Sequence, residues 1–226
     1  MLPLYAFSAL CMLCALAAAV LRNREKERAR LVAKLLASLL FCLAAFWAAA
    51  KRAQPLNPQT ALMLMALIMG FMGDILLGLD RFVPPEDRTF LTMMGGVPFF
   101  FGHVLYIILL LSEAPLHWPL LLLLPLAPLV FFALQKLHVF ELGRHWKMFL
   151  TYGLVLGCMM LSTLNLALRG GALGRLMWCP GVLFAISDTT LFLSSFGKQK
   201  RRAHAYLVML PYYAAQTLFA LSVMYL

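Results

Sequence analysis

The sequence predicts an all-α polytopic membrane bundle of eight transmembrane helices, with both termini on the non-cytosolic side. Three observations carry this. The apolar residues fall in runs of about 20, the length a helix needs to cross the hydrocarbon core. Of the 226 residues, 63% are hydrophobic and 12% charged, at a mean hydropathy of +0.87; a soluble domain carries about twice that charge. Finally, Lys and Arg are unevenly shared between alternate connections, as in a polytopic chain that obeys the positive-inside rule.

The spans follow in order. Span one, 3–21, precedes Arg22, Arg24, Lys26, Arg28 and Arg30. It lacks the positive leader of a signal peptide, so it reads as a retained first span whose N-terminus faces away from the cytosol. Span two, 31–50, stops before Lys51 and Arg52. Span three, 59–79, is thinned by Gly70, Gly73 and Gly78. Span four, 90–112, holds Gly95, Gly96 and Pro98, so its helix is expected to begin near Pro98. Span five, 116–135, holds Pro125 and Pro128 and is expected to kink. Spans six, seven and eight cover 148–168, 174–196 and 205–225, and Pro211 in span eight should free a backbone carbonyl. Counting Lys34 with the first connection and Arg175 with the sixth, each lying just inside a span end, the odd connections hold six, two, three and four Lys/Arg. The even ones hold Lys51, Arg52, Arg169 and Arg175. The odd connections are therefore expected to be cytosolic. None is long enough for a further module, so residues 1–226 read as one integral membrane domain.

The net charge of +10 sits in these short connections and reads as a topology signal, not as a nucleic-acid footprint. Cys11, Cys14, Cys42, Cys158 and Cys179 all fall in apolar segments without a CxxC pair, so neither a disulfide framework nor a zinc site is indicated. No internal repeat is evident, which argues against an inverted-repeat transporter.

Two carboxyls stand out. Asp74 lies in the apolar stretch Met63–Leu79 and Asp188 in Leu173–Phe196. A charge near the bilayer centre costs about 3 kcal/mol or more, so such residues usually mark function. Desolvation favours the neutral form, so at least one is expected to hold a proton at neutral pH. Asp74 lies roughly 8 Å and Asp188 roughly 12 Å from the cytosolic ends of their spans, at 1.5 Å per residue. The two can meet at one level. His103 and Tyr106 share a face of span four; Tyr212, Tyr213 and Gln216 lie in span eight; Ser187 adjoins Asp188; Tyr152 and Asn165 lie in span six, Asn165 nearer the non-cytosolic side. The bland readings are interface tyrosines, a hydrogen-bonded core histidine, and interhelical glue for Gln216 and Asn165. What favours function is the gathering of two acids, a histidine, tyrosines and an amide on different spans.

The ordered set Gly73-Asp74-Ile75-Leu76-Leu77, Phe101-Gly102-His103-Val104-Leu105-Tyr106, Phe184-Ala185-Ile186-Ser187-Asp188 and Tyr212-Tyr213-Ala214-Ala215-Gln216 resembles the YhhN-like lysoplasmalogenase family. The resemblance runs from about span two onward. Length and composition look like those of its animal, liver-type members of the endoplasmic reticulum. It implies hydrolysis of the vinyl ether of a 1-alkenyl-glycerophosphocholine or -ethanolamine to a fatty aldehyde and a glycerophospho head group. Asp74 and Asp188 would be the catalytic acid/base pair. His103, Tyr106, Tyr152, Asn165, Ser187, Tyr212, Tyr213 and Gln216 would orient substrate, acids or water. Such an ether is cleaved by protonating its β-carbon, which needs one neutral and one ionised acid, a division of labour related to that of glycosidases. Which aspartate donates is open at this point, and exchange of either for Asn is expected to abolish turnover and leave folding intact.

No cofactor or metal is expected, since His103 is the only histidine well inside a span. A lysoplasmalogen lipid and the bilayer are the expected partners, nucleic acid is not, and self-association as a homodimer stays open. Lys198, Lys200, Arg201 and Arg202 read first as topology determinants and second as phosphate attractors. The competing class is a proton-coupled small-solute or lipid transporter with Asp74 and Asp188 as proton sites. An intramembrane aspartyl protease fits poorly, because its sequence signatures are missing around both acids.

Overall fold

The computed structural model describes residues 2–52, 56–140, 146–197 and 201–226. Among these described residues, eight stretches are long and apolar enough to cross a membrane. They are α1 (Leu2–Asn23), α2 (Glu27–Ala50), α3 (Pro58–Gly78), α4 (Arg88–Glu113), a fifth span containing α5 (Leu126–Lys136), α6 (Trp146–Leu168), α7 (Gly171–Phe196) and α8 (Ala203–Ser222).

Local chemistry sets several ends. Asn57 caps α3 by accepting from the Thr60 N–H at 2.7 Å, and Pro58 fills the first turn, where its missing N–H costs nothing. The far end of α3 is held by the Arg30 guanidinium, which donates to the Gly78 carbonyl at 3.3 Å. Between α6 and α7 the chain reverses through Gly170 and Gly171, both at positive φ (82° and 81°), a conformation open to glycine at little cost.

Two expectations about proline need correction. α4 does not begin near Pro98 but at Arg88, and runs through Gly95, Gly96 and Pro98. A membrane helix tolerates an interior proline when its neighbours close around the gap. Here Pro98 is buried, and Gly95 leaves room for Leu77 of α3, whose Cδ2 would lie 2.7 Å from a Cβ at that site. The fifth span is broken rather than kinked. A 3-10 turn covers Trp118–Leu123, and α5 starts afresh after Pro125, with Pro128 in its first turn.

Seven helices close a ring in the order α1, α2, α3, α4, α6, α7, α8, with α8 leaning inward against α2 and α3; α5 stands outside against α6 and has no buried residue. Water does not drive these contacts inside a bilayer, so close approach of small side chains matters most. Ala44, Ala45, Ala48 and Ala49 of α2 and Ala15, Ala18 and Ala19 of α1 are all buried. Large apolar residues such as Leu13, Phe46, Met65 and Ile108 stay exposed on the outer faces, where lipid would cover them.

The charge pattern also changes in one respect. Arg30 and Lys34, read above as part of the first connection, lie in α2 and are buried. The excess of Lys/Arg in the odd connections survives without them. Lys198 and Lys200 lie outside the described residues.

Candidate functional site

Asp74 is 2% exposed and carries three partners. The Lys34 ammonium lies 3.1 Å from its Oδ1. Ser38 Oγ and Tyr212 OH each donate to Oδ2 at 2.7 Å. The cluster extends deeper through side chains alone: Gln216 Nε2 donates to the Tyr212 oxygen at 3.1 Å, and Tyr106 OH donates to Gln216 Oε1 at 2.7 Å. Tyr213 donates to the Lys34 carbonyl at 3.0 Å, tying α8 to α2. Three helices, α2, α3 and α8, thus meet on one carboxylate, and α4 joins the cluster through Tyr106. A cation at ion-pair distance together with two hydroxyl donors is the surrounding of an ionised acid.

Asp188 sits in a different setting. Tyr152 OH donates to its Oδ2 at 2.5 Å, and His103 Nε2 lies 3.1 Å from the same atom. His103 Nδ1 is buried with no hydrogen-bond partner. An orphaned N–H there would cost more than an orphaned lone pair. The ring is therefore read as the tautomer with the proton on Nε2, donating to Asp188. Asp188 Oδ1 has no hydrogen-bond partner among the described residues.

The predicted residues therefore divide into two clusters rather than one. His103 and Tyr106 share a face of α4 but serve different acids, His103 going to Asp188 and Tyr106 to the Asp74 side. Phe184 stands between, its ring 4.8 Å from His103 and 5.4 Å from Tyr212. Ser187 Oγ donates to the Val208 carbonyl at 2.9 Å and so joins α7 to α8. Asn165 does not join either cluster. Its side chain is taken up by the backbone at the opposite end of the bundle, accepting from His117 N–H and donating to the Ala114 carbonyl, each at 3.0 Å.

Both acids line one narrow polar cleft of about 60 Å³, together with Arg22, Arg30, Lys34 and Asp80. Asp188 also forms part of the wall of a second space, an apolar cavity of about 840 Å³ between α4, α5, α6 and α7. That volume is in the range of small-ligand sites. Phe100, Phe131, Phe149 and Phe192 give the cavity its character. Leu77, Phe99, Asp188 and Leu191 border both spaces, so a carboxyl stands where apolar and polar surroundings meet.

Two glycines allow this geometry. A Cβ on Gly70 would overlap Gln216 Nε2, and one on Gly73 would overlap the Phe99 ring. Lys34, Ser38, Arg22, Arg30 and Asp80 were not singled out from the sequence. The available signal was Lys34 itself, a charge inside the apolar run Leu31-Val32-Ala33-Lys34-Leu35-Leu36 and one turn before Ser38.

The family model described as the YhhN family matches residues 31–223. No curated protein and no solved structure matches the chain.

Proposed function

The chain belongs to the YhhN family, and from that premise we propose that it is a lysoplasmalogenase, an ether hydrolase acting on 1-alkenyl-glycerophosphocholine and -ethanolamine. One observation carries the reading: Asp188 stands at the junction of an apolar cavity and a polar cleft. An alkenyl chain in the cavity brings its vinyl ether to the carboxyl and leaves glycerol and phosphate on the polar side.

The two acids then take unequal parts. Asp74, paired with Lys34, is the ionised member. Asp188 carries the reacting proton on Oδ1, with Oδ2 held by Tyr152 and His103. Asp188 protonates the β-carbon of the vinyl ether, and the electron pair of the double bond forms the new C–H bond. The resulting oxocarbenium ion faces the Asp188 carboxylate that has just formed, which stabilises it. Water adds to the α-carbon and returns a proton to Asp188. The hemiacetal collapses by breaking its bond to the glycerol oxygen, which takes up the hydroxyl proton, and aldehyde leaves. Asp74 Oδ1, with only Lys34 on it, can accept from that water and hold it in place. The basic end of the bundle faces the cytosol in this reading, and the family resemblance supplies the endoplasmic reticulum as the membrane.

The test is aldehyde release by purified protein from 1-alkenyl and 1-acyl lysophospholipids of equal chain length. Release from the alkenyl lipid alone, lost in Asp188→Asn, supports the proposal. Folded wild-type protein that releases no aldehyde would sink it.

A further inference from the structure

Arg22, in the last turn of α1, lines the polar cleft with Asp74 and Asp188. The other two cations of the cleft are already matched. Arg30 pairs with Glu27 at 2.6 Å and with Asp80 at 3.0 Å, and Lys34 with Asp74 at 3.1 Å. The guanidinium of Arg22, half-buried, has no hydrogen bond or ion pair among the described residues. It is near enough to Arg30, Arg81, Asp80 and Glu27 to feel their charges. The favourable field of a helix C-terminus accounts for a last-turn arginine, but not for one lining a cleft beside two carboxyls.

We infer that Arg22 is the anchor for a lipid phosphodiester, binding the head-group phosphate while the reacting bond lies at Asp188. The inference rests on the lysoplasmalogenase reading for the identity of the lipid. Its physical content is a match of layouts. The substrate runs chain, vinyl ether, glycerol, phosphate. The protein offers apolar cavity, Asp188, polar cleft and an unmatched guanidinium. A guanidinium presents a planar fork of N–H donors that fits two phosphate oxygens, and one positive charge answers the single negative charge of a phosphodiester. Arg30 and Lys34, held by carboxylates, are not free to do this.

The experiment is binding without turnover. The full-length protein in detergent is titrated calorimetrically with a non-hydrolysable 1-O-alkyl-lysophosphocholine and with the 1-O-alkylglycerol of the same chain. Wild-type protein is expected to prefer the phosphate-bearing lipid by about 10- to 100-fold, the effect of a hydrogen-bonded charge. Arg22→Gln is expected to remove that preference and leave alkylglycerol affinity unchanged, while Arg22→Lys keeps part of it. Equal wild-type affinities, or loss of both ligands alike in Arg22→Gln, would overturn the assignment. So would saturable binding of inorganic phosphate with no gain from the attached chain, which would mark a free-anion site. Because binding is read apart from catalysis, the subsite can stand when no aldehyde forms, and hydrolysis can stand when Arg22 proves irrelevant.

Discussion

Asp74 and Asp188 are chemically identical residues that the protein places in opposite circumstances. Asp74 has an ammonium on one oxygen and two hydroxyls on the other. Removing one partner of such a buried pair strands the other charge and typically costs about 3–5 kcal/mol. This revises the expectation that either Asn variant leaves folding intact. Asp74→Asn and Lys34→Met are each expected to lower thermal stability in detergent by that amount, and the double variant to recover most of it. Single variants as stable as wild type would contradict an ion pair here. Asp188→Asn is different: its neighbours are a neutral hydroxyl and a ring nitrogen, so stability should hold while turnover disappears. Tyr152→Phe removes one donor to Asp188 and should lower kcat by roughly 10- to 100-fold, with little change in KM, if that hydroxyl tunes the proton donor. A change confined to KM would instead assign Tyr152 to substrate binding.

Among the helices, the site depends on close approach as much as on polar groups. α3 meets α8 at Gly70, where a Cβ would overlap Gln216, whereas a Cβ on Gly96 of α4 meets nothing within 4 Å. Gly70→Ala should therefore cost about 1–3 kcal/mol through overpacking, while Gly96→Ala should be neutral or gain up to about 1 kcal/mol from helix propensity. Thermal melts of the two proteins side by side give the answer. At the opposite end, Asn165 fastens the backbone of 114–117. Asn165→Ala leaves those groups unpaired and is expected to cost about 1–3 kcal/mol with kcat unchanged. Loss of kcat without loss of stability would return Asn165 to the site.

For the whole molecule, the ring of seven helices leaves α5 outside, and the gap between α5 and the α4, α6 and α7 faces is the apolar cavity. Gly153 lines it, and a Cβ there meets nothing within 4 Å. Gly153→Leu should fill part of the space without clash. The expected result is a shift of preference toward shorter alkenyl chains, read as kcat/KM across a chain-length series. An unchanged profile would place the chain elsewhere.

The sequence by itself determined eight apolar spans, and their bounds agree with the helices to within a few residues except where proline intervened. Hydropathy is a property of each helix against lipid, so it survives reading one segment at a time. The same one-segment logic exposed Asp74, Asp188 and His103 as polar groups in apolar runs. Partnership was not legible in this way. Ser38 meets Asp74 across 36 residues and Tyr212 meets it across 138, and nothing in either segment records the other. Lys34 was absorbed into a charge count because a lysine near a span end is cheap if it reaches water and costly if it does not; only the position of α3 beside α2 makes it the counter-ion of Asp74. Tertiary structure likewise decided that His103 and Tyr106, neighbours on one helix face, serve different acids, with the Phe184 ring of α7 packed between His103 and Tyr212. Which helices touch depends on how small residues let backbones approach, and that is settled only when all the faces are packed together.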